Sequence, residues 1–148
     1  MEIQLLVIII IMIACSAFFS ASETALTGAN RIRLKSMAEN GSKGAKMALK
    51  LLDRYDKVIT TILIGNNIVN ITASSLGTIL ATAIVGPDNA ALVSTVVLTL
   101  VILAFGEVMP KSLAKDHSEG LTVATSGIIT FLTFIFTPLS ALFILLKK

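Results

Sequence analysis

Four long stretches of this sequence carry no charged residue: 3–22, 58–87, 89–106 and 121–146. Each is long enough, or nearly so, to cross the hydrocarbon core of a bilayer as a helix. Apolar residues make up 55% of the 148 residues and charged residues 14%, which separates the chain from soluble domains. The sequence therefore predicts an all-α integral membrane protein.

Basic residues are concentrated in one loop, between the first two charge-free stretches. Eight Lys and Arg side chains lie between 31 and 57, whereas the short loop at 86–88 has none. Loops rich in Lys and Arg stay in the cytoplasm, so the N-terminus is predicted to lie outside the cell and the C-terminus inside. The predicted transmembrane helices are three, at about 3–27, 58–84 and 89–109, in the plasma or inner membrane.

The basic loop, residues 30–56, is predicted to form two cytoplasmic helices. Lys43, Lys46 and Lys50 recur at three- and four-residue spacing, which is typical of an amphipathic helix. Asn30 is a candidate helix cap, and Asn40-Gly41 predicts a turn between the two helices. We expect a solvated helical hairpin between the first two spans, with a sensor of lipid headgroups as the alternative.

The last apolar stretch is predicted to form a kinked juxtamembrane helix at about 117–146. A full crossing would leave Lys147 and Lys148 outside, against the charge rule, and Pro138 interrupts the stretch. A helix lying along or dipping into the inner face satisfies both observations. A fourth span remains the alternative.

Two clusters of polar side chains lie inside the apolar spans, where an unpartnered oxygen costs free energy. Ser16 and Ser20 share one face of the first span, and Asn66 and Asn70 share one face of the second. A serine can instead bond the carbonyl one turn back, and asparagines can join helices by hydrogen bonds. Both clusters are equally candidates for binding a cation.

A third cluster, Gly106-Glu107-Val108-Met109-Pro110-Lys111, ends the third span. In an α-helix the amide of residue 110 would bond the Gly106 carbonyl, but proline has no N–H, so this oxygen is predicted to be free. Glu107 is the only acid in the central parts of the spans and thus a functional candidate. Its alternative role is a surface pair with Lys111, four residues on.

Together these clusters supply hydroxyl, amide, carbonyl and carboxylate oxygens, with no histidine or thiolate among them. Hard oxygen donors suit Mg²⁺ or Na⁺ more than zinc or copper. One formal negative charge among neutral donors predicts modest affinity, as a carrier that must release its ion requires.

The motifs Phe19-Ser20-Ala21-Ser22-Glu23-Thr24-Ala25-Leu26, Leu63-Ile64-Gly65-Asn66-Asn67-Ile68-Val69-Asn70 and Phe105-Gly106-Glu107-Val108-Met109-Pro110-Lys111 resemble the transmembrane domain of the CorC and cyclin M (CNNM) magnesium transporters. The resemblance covers essentially all of 1–148. It implies a homodimer with three spans and a juxtamembrane helix per subunit, and export of Mg²⁺ from an inward-facing cavity, driven by Na⁺ entry.

The resemblance also implies a set of ion ligands. Carried over to this sequence, they are Ser16 and Ser20 on the first span, Asn66 and Asn70 on the second, and Glu107 with the Gly106 carbonyl on the third. The cytoplasmic CBS domains and carboxy-terminal domain that usually follow in this family are expected in the full-length protein; they are absent from this sequence, which stops at Lys148.

Other functions are less well supported by the sequence. The basic residues lie where cytoplasmic membrane loops carry them, and no aromatic platform is interleaved with them, which argues against nucleic acid binding. The sequence lacks a nucleophile and base pair, a phosphate-binding loop and a metal-binding histidine pair, so an enzyme is not predicted. Two alternatives remain: a membrane anchor or sensor without transport, and a carrier of sodium or protons.

Overall fold

The computed structural model describes all 148 residues, and its regular structure is entirely helical. This confirms the predicted all-α class. The helices are α1 Glu2–Gly28, α2 Arg31–Glu39, α3 Lys43–Asp53, α4 Tyr55–Val85, α5 Pro87–Val101, a π-helical segment Ile102–Val108, α6 Met109–Asp116, α7 Ser118–Ile135 and α8 Thr137–Lys147.

Four helical rods are long and apolar enough to cross a membrane: Glu2–Gly28, Tyr55–Val85, Pro87–Asp116 and Ser118–Ile135. The third consists of α5, the π-helical segment and α6. The predicted helix at 117–146 is divided into α7 and α8 at Phe136. Pro138 lies in the first turn of α8, where its missing N–H interrupts no helical hydrogen bond. By length and composition alone, one more helix than the three predicted qualifies as a span.

Helices α1 and α4 run antiparallel and form the centre of the fold. The Phe19 ring packs against Gly65, and one helical end is tied by a 3.0 Å hydrogen bond between the hydroxyls of Thr27 and Tyr55. We call this end, where α1 stops and α4 begins beside α2 and α3, the basic end. The buried apolar cluster there joins four helices through Phe19, Leu26, Leu51, Val58, Ile62 and Ile129.

Helices α2 and α3 are held to the basic end by polar contacts. The Asn30 side chain accepts hydrogen bonds from the amides of Ile32 and Arg33 at 2.9 and 3.3 Å, which caps α2. The Asn30 amide donates to the Glu119 carboxylate of α7 at 3.1 Å. Arg31 forms an ion pair with Asp53, at the end of α3.

Helix α7 follows α3 rather than running up α4. A Cβ atom added to Gly44 would lie 2.7 Å from a methyl group of Val123, and one added to Gly127 would lie 3.9 Å from the Met47 methyl. After α7, helix α8 contacts the first two turns of α4, where the hydroxyls of Ser140 and Thr61 are 3.0 Å apart. The final apolar stretch therefore contacts α4 mainly near the basic end.

Small residues on the far half of α4 pack within the chain. Ala73, Gly77 and Ala81 are buried, and Gly77 lies directly against Leu98 of α5. The same spacing is compatible with a dimer contact, but Gly77 packs against α5 of the same chain.

The contact between α1 and α4 depends on Gly65. A Cβ atom there would lie 2.5 Å from Cζ of the buried Phe19 ring, so Gly65→Ala should cost about 1–3 kcal/mol through overpacking. Helix propensity returns at most about 1 kcal/mol. Gly120→Ala is the matched control, because no atom lies within 4 Å of its added Cβ. Thermal unfolding in detergent should show a lower midpoint for Gly65→Ala alone; equal midpoints would contradict this packing.

Candidate cation site

The Ser16 hydroxyl lies where three helical rods meet. Ser16 is fully buried on α1. Its Oγ is 3.0 Å from Oδ1 of Asn66 on α4 and 3.5 Å from the carbonyl oxygen of Gly106 in the π-helical segment, and it donates toward both. Three of the six predicted ligand residues are therefore brought together. A hydroxyl has one hydrogen, so it is shared between two acceptors.

A change of helical register next to this contact alters which backbone carbonyls accept helical hydrogen bonds. In a π-helix each N–H bonds the carbonyl five residues earlier, and the Met109 amide donates to Ala104 in this way. The next residue, Pro110, has no N–H, so it can serve neither Phe105 in the π register nor Gly106 in the α register. The sequence alone predicts that no hydrogen bond from Pro110 is made. The π-helical register is a feature that the structure adds to this prediction.

Gly106 allows the third rod to approach α1 closely. A Cβ atom added to Gly106 would lie 3.0 Å from Ser16 Oγ, which is tighter than ordinary packing. Any side chain here would therefore push the Ser16 hydroxyl or the helix away. The absence of a side chain leaves the backbone oxygen as the group that this residue presents to Ser16.

Glu107 is half-buried and forms neither a hydrogen bond nor an ion pair in the structure. The alternative pairing of Glu107 with Lys111 is wrong, because Lys111 pairs with Glu23 of α1 at 3.5 Å. Lys111 is thus engaged with a different carboxylate, nearer the basic end. The Glu107 carboxylate, one residue after Gly106 in the chain, is therefore unpaired, and no hydrogen bond joins it to Ser16 or Asn66.

Ser20 is buried and Asn70 half-buried, and the two residues lie at different levels of the bundle. The Ser20 hydroxyl and the Asn70 side-chain oxygen have no hydrogen-bond partner. Because α1 and α4 are antiparallel, Ser20 lies one turn from the Ser16–Asn66 contact toward the basic end, and Asn70 lies one turn in the opposite direction. At 1.5 Å per residue, the two levels are about 12 Å apart along the bundle. One ion cannot contact both.

Other polar residues near the site divide into exposed and buried ones. Asn67 and Ser74, on the same span as Asn66, are exposed. The Ser22 hydroxyl is buried without a partner, and the sequence prediction missed it. A search for residues four apart from Ser16 passes over Ser22, which lies on another face of α1.

The path from these residues toward the basic end contains a polar groove. The groove has a volume of about 350 Å³ and begins near the ion pair between Glu23 and Lys111. Its lining is Glu23, Thr24, Thr27, Gly28, Lys111, Lys115 and Ser118. Apart from Gly28, every residue that lines this groove has a polar or charged side chain.

The chemistry of the site is that of neutral oxygens with one carboxylate. His, Cys, Asp and Glu side chains form no group of three able to hold a metal ion. A cation binding here would rely on hydroxyl, amide and carbonyl oxygens together with Glu107. Such donors suit hard cations.

Comparisons with known proteins agree with a multi-pass membrane protein. A protein of Haemophilus influenzae named UPF0053 protein is 44% identical over 135 residues, which is 91% of this chain and 32% of that protein. The UPF0053 inner membrane protein YfjD of Escherichia coli is 44% identical over 124 residues, 84% of this chain and 29% of that protein. A Haemophilus influenzae protein named polyamine export protein is 26% identical over 143 residues, 88% of this chain and 33% of that protein.

This chain thus spans about a third of the length of these curated relatives. The model of the cyclin M transmembrane N-terminal domain matches residues 7–148. The match includes all three polar clusters and the helices that carry them. The chain therefore belongs to the cyclin M (CNNM) transmembrane domain family.

Proposed function

We propose that this domain is a secondary transporter that exports Mg²⁺, with Na⁺ entry as the driving reaction. The observation that carries the proposal is the Ser16 contact, in which oxygens from three helical rods converge inside an apolar bundle. Buried oxygens need partners. A cation would bind between these oxygens once the Ser16 O–H, still protonated, has rotated away from them, and would then engage all three oxygens at once.

The spacing of these oxygens supports a small cation. Neighbouring ligands of an octahedral Mg²⁺ at about 2.1 Å lie about 3.0 Å from each other. The distance between Ser16 Oγ and Asn66 Oδ1 is 3.0 Å, and the distance from Ser16 Oγ to the Gly106 oxygen is 3.5 Å. The first pair fits without movement, and the second needs a contraction of a few tenths of an ångström, or a somewhat larger ion.

The unpaired oxygens of Ser20 and Asn70, one on each side of the Ser16 contact, suggest a path for the ion rather than a single binding point. In this proposal Ser16, Asn66, Gly106 and Glu107 hold the ion at the central level. Ser20 contacts it when it is nearer the basic end, and Asn70 when it is further along the bundle. Movement of the rods would open the site to each side in turn.

The proposed topology has three crossings, with the basic end in the cytoplasm. The contacts of Gly44 with Val123 and of Thr61 with Ser140 support this arrangement, because they keep α7 and α8 beside α3 and the first turns of α4. A helix that crossed the bilayer would follow α4 further. α7 and α8 would then lie along the inner membrane surface.

A homodimer is part of the proposal, as the family resemblance implies, and the single chain exposes many large apolar side chains. Examples are Ile71, Ile79 and Leu92, at 67%, 55% and 69% exposure. Lipid and a second subunit would cover this surface. CBS domains that follow the transmembrane domain in the full-length protein would act from the cytoplasmic side.

Polyamine export is a second candidate function. One relative, 26% identical, is named a polyamine export protein, and an extended cation would also use a line of oxygens at several levels. The two functions differ in the cation that is transported, so one flux assay can distinguish them. The same assay tests transport of sodium or protons and the alternative of an anchor that transports nothing.

Glu107→Gln tests the role of the carboxylate. Removing one carboxylate–cation contact in a low-dielectric site should cost more than about 1.4 kcal/mol, so Mg²⁺ flux should fall about tenfold or more. The purified protein is placed in liposomes, and Mg²⁺ is followed by a fluorescent indicator with and without a Na⁺ gradient. Glu39→Gln, an exposed acid on α2, is the control and should retain full flux.

The other outcomes of this assay are informative. A wild-type protein without flux of any cation would support the anchor or sensor. Flux of spermidine, Na⁺ or protons without Mg²⁺ flux would identify another substrate. Undiminished Mg²⁺ flux in Glu107→Gln would refute the ligand role of Glu107.

Pro110→Ala tests the free carbonyls. The new amide could bond Gly106 in the α register or Phe105 in the π register, and a net hydrogen bond is worth about 1 kcal/mol. Mg²⁺ affinity, measured by calorimetry, should therefore weaken about fivefold. Pro138→Ala on α8 is the matched control, because it lies outside the site. Equal affinities for the two variants would show that Pro110 does not prepare the site.

A further inference from the structure

A second groove lies at the basic end, between α3, the start of α4, and α7 with α8. Its volume is about 720 Å³, about twice that of the groove beside Glu23. It is lined by Met47, Lys50, Leu51, Asp53, Arg54, Lys57, Val58, Thr130, Thr133, Phe134 and Thr137. None of these residues belongs to the proposed ion path.

The groove has unbalanced positive charge. Lys50, Arg54 and Lys57 take part in none of the ion pairs of the structure. The acid in the lining, Asp53, is already paired with Arg31. Asp56, the other nearby acid, is exposed and lines an adjoining shallow pocket. Three cations therefore face one cavity whose carboxylate is neutralised.

The cavity continues into an apolar surface. Lys57 and Thr137 also line a neighbouring groove of about 280 Å³, together with Ala141, Ile144, Leu145 and Lys148. Phe134, which lines the first groove, and Leu145, which lines the second, are 79% and 68% exposed. The surface thus changes from cationic to hydrocarbon-like along α7 and α8. A ligand that matches it has an anionic head and an apolar body.

We propose that this groove binds the headgroup of an anionic phospholipid, with the phosphate between Lys50, Arg54 and Lys57 and the acyl chains along α7 and α8. A basic residue at a membrane surface attracts anionic lipid with about 1 kcal/mol. Arg54 supplies a planar fork suited to phosphate oxygens, and the lysines add point charges. A soluble phosphate would leave the neighbouring apolar surface without a partner, which is why a lipid is the better match.

The groove also occupies a position of mechanical importance. It touches α3, α4, α7 and α8, which are otherwise joined there through few polar contacts. A bound lipid would link the first turns of α4, the helix that carries Asn66, to the helices proposed to lie on the membrane surface. The inference concerns lipid binding alone and does not depend on which ion is transported.

The test uses a single tryptophan and brominated lipids. The chain has no Trp, so Phe134→Trp places one fluorophore in the groove. Vesicles contain phosphatidylcholine and phosphatidylglycerol in a fixed ratio, and bromine, which quenches Trp, is carried by one lipid or the other. Because composition is the same in both arms, unequal quenching measures local enrichment. We expect phosphatidylglycerol to be enriched about fivefold or more.

Two charge variants of Phe134→Trp provide the decisive comparison. Lys50→Gln with Arg54→Gln and Lys57→Gln should abolish the enrichment. Lys35→Gln with Lys43→Gln and Lys46→Gln removes equal charge from exposed positions of α2 and α3 outside the groove and should retain it. Lys57→Gln alone should reduce it, which provides a readout if the triple groove variant does not fold.

Three results would overturn the proposal. The first is equal quenching by the two brominated lipids in Phe134→Trp. The second is enrichment that survives loss of all three groove cations. The third is loss of enrichment on adding inorganic phosphate, but not sodium chloride of the same ionic strength, which would identify a site for a soluble anion.

Discussion

The contact of one buried hydroxyl with two oxygens is the feature on which the rest of this bundle depends. Ser16 reaches Asn66 and Gly106 only because three rods approach closely in the middle of the bundle. Two glycines make that approach possible, Gly65 beneath the Phe19 ring and Gly106 beside Ser16 itself. In hydrocarbon, polar groups have no water to bind, so the contact joins the helices and is the place where the proposed cation would bind.

The π-helical segment supplies what side chains alone do not. A regular α-helix pairs all its interior carbonyls, which leaves none to face an ion. Because the Met109 amide bonds Ala104 and Pro110 has no N–H, the Phe105 carbonyl loses both its α-register and its π-register donor, and the Gly106 carbonyl loses its α-register donor, while the rod continues. The backbone itself thus becomes a candidate ligand, at a position where a Cβ atom would interfere with Ser16.

Much of this could be predicted from the sequence, because a membrane restricts the possible structures. Charge-free stretches of sufficient length specify helices, and Asn30 and Pro110 act through local bonding rules that hold in any fold. The convergence of Ser16, Asn66 and Gly106 was also predictable, since polar groups in apolar spans must find partners.

Other features depend on how the helices pack. The separation of Ser20 from Asn70 depends on the register at which the antiparallel helices α1 and α4 pack; the predicted topology implies their opposite directions but not that register. Likewise, the pairing of Lys111 with Glu23 rather than Glu107 depends on the register between α1 and α6. The path of α7 beside α3 is set by contacts such as that of Gly44 with Val123. Composition alone makes α7 a fourth candidate span.

The distribution of charge bears on how an ion would leave such a site. A divalent ion beside Glu107 would meet one negative charge, because the other nearby carboxylate, Glu23, is already paired with Lys111. Neutral oxygens must then replace most of its hydration shell, and Mg²⁺ gives up water reluctantly. Binding of this kind is weaker than in a cage of several carboxylates.

Lys111 and Lys115 line the groove toward the basic end and would repel a departing cation. Passage by this route therefore requires those side chains to move, or Glu23 to release Lys111 and bind the ion instead.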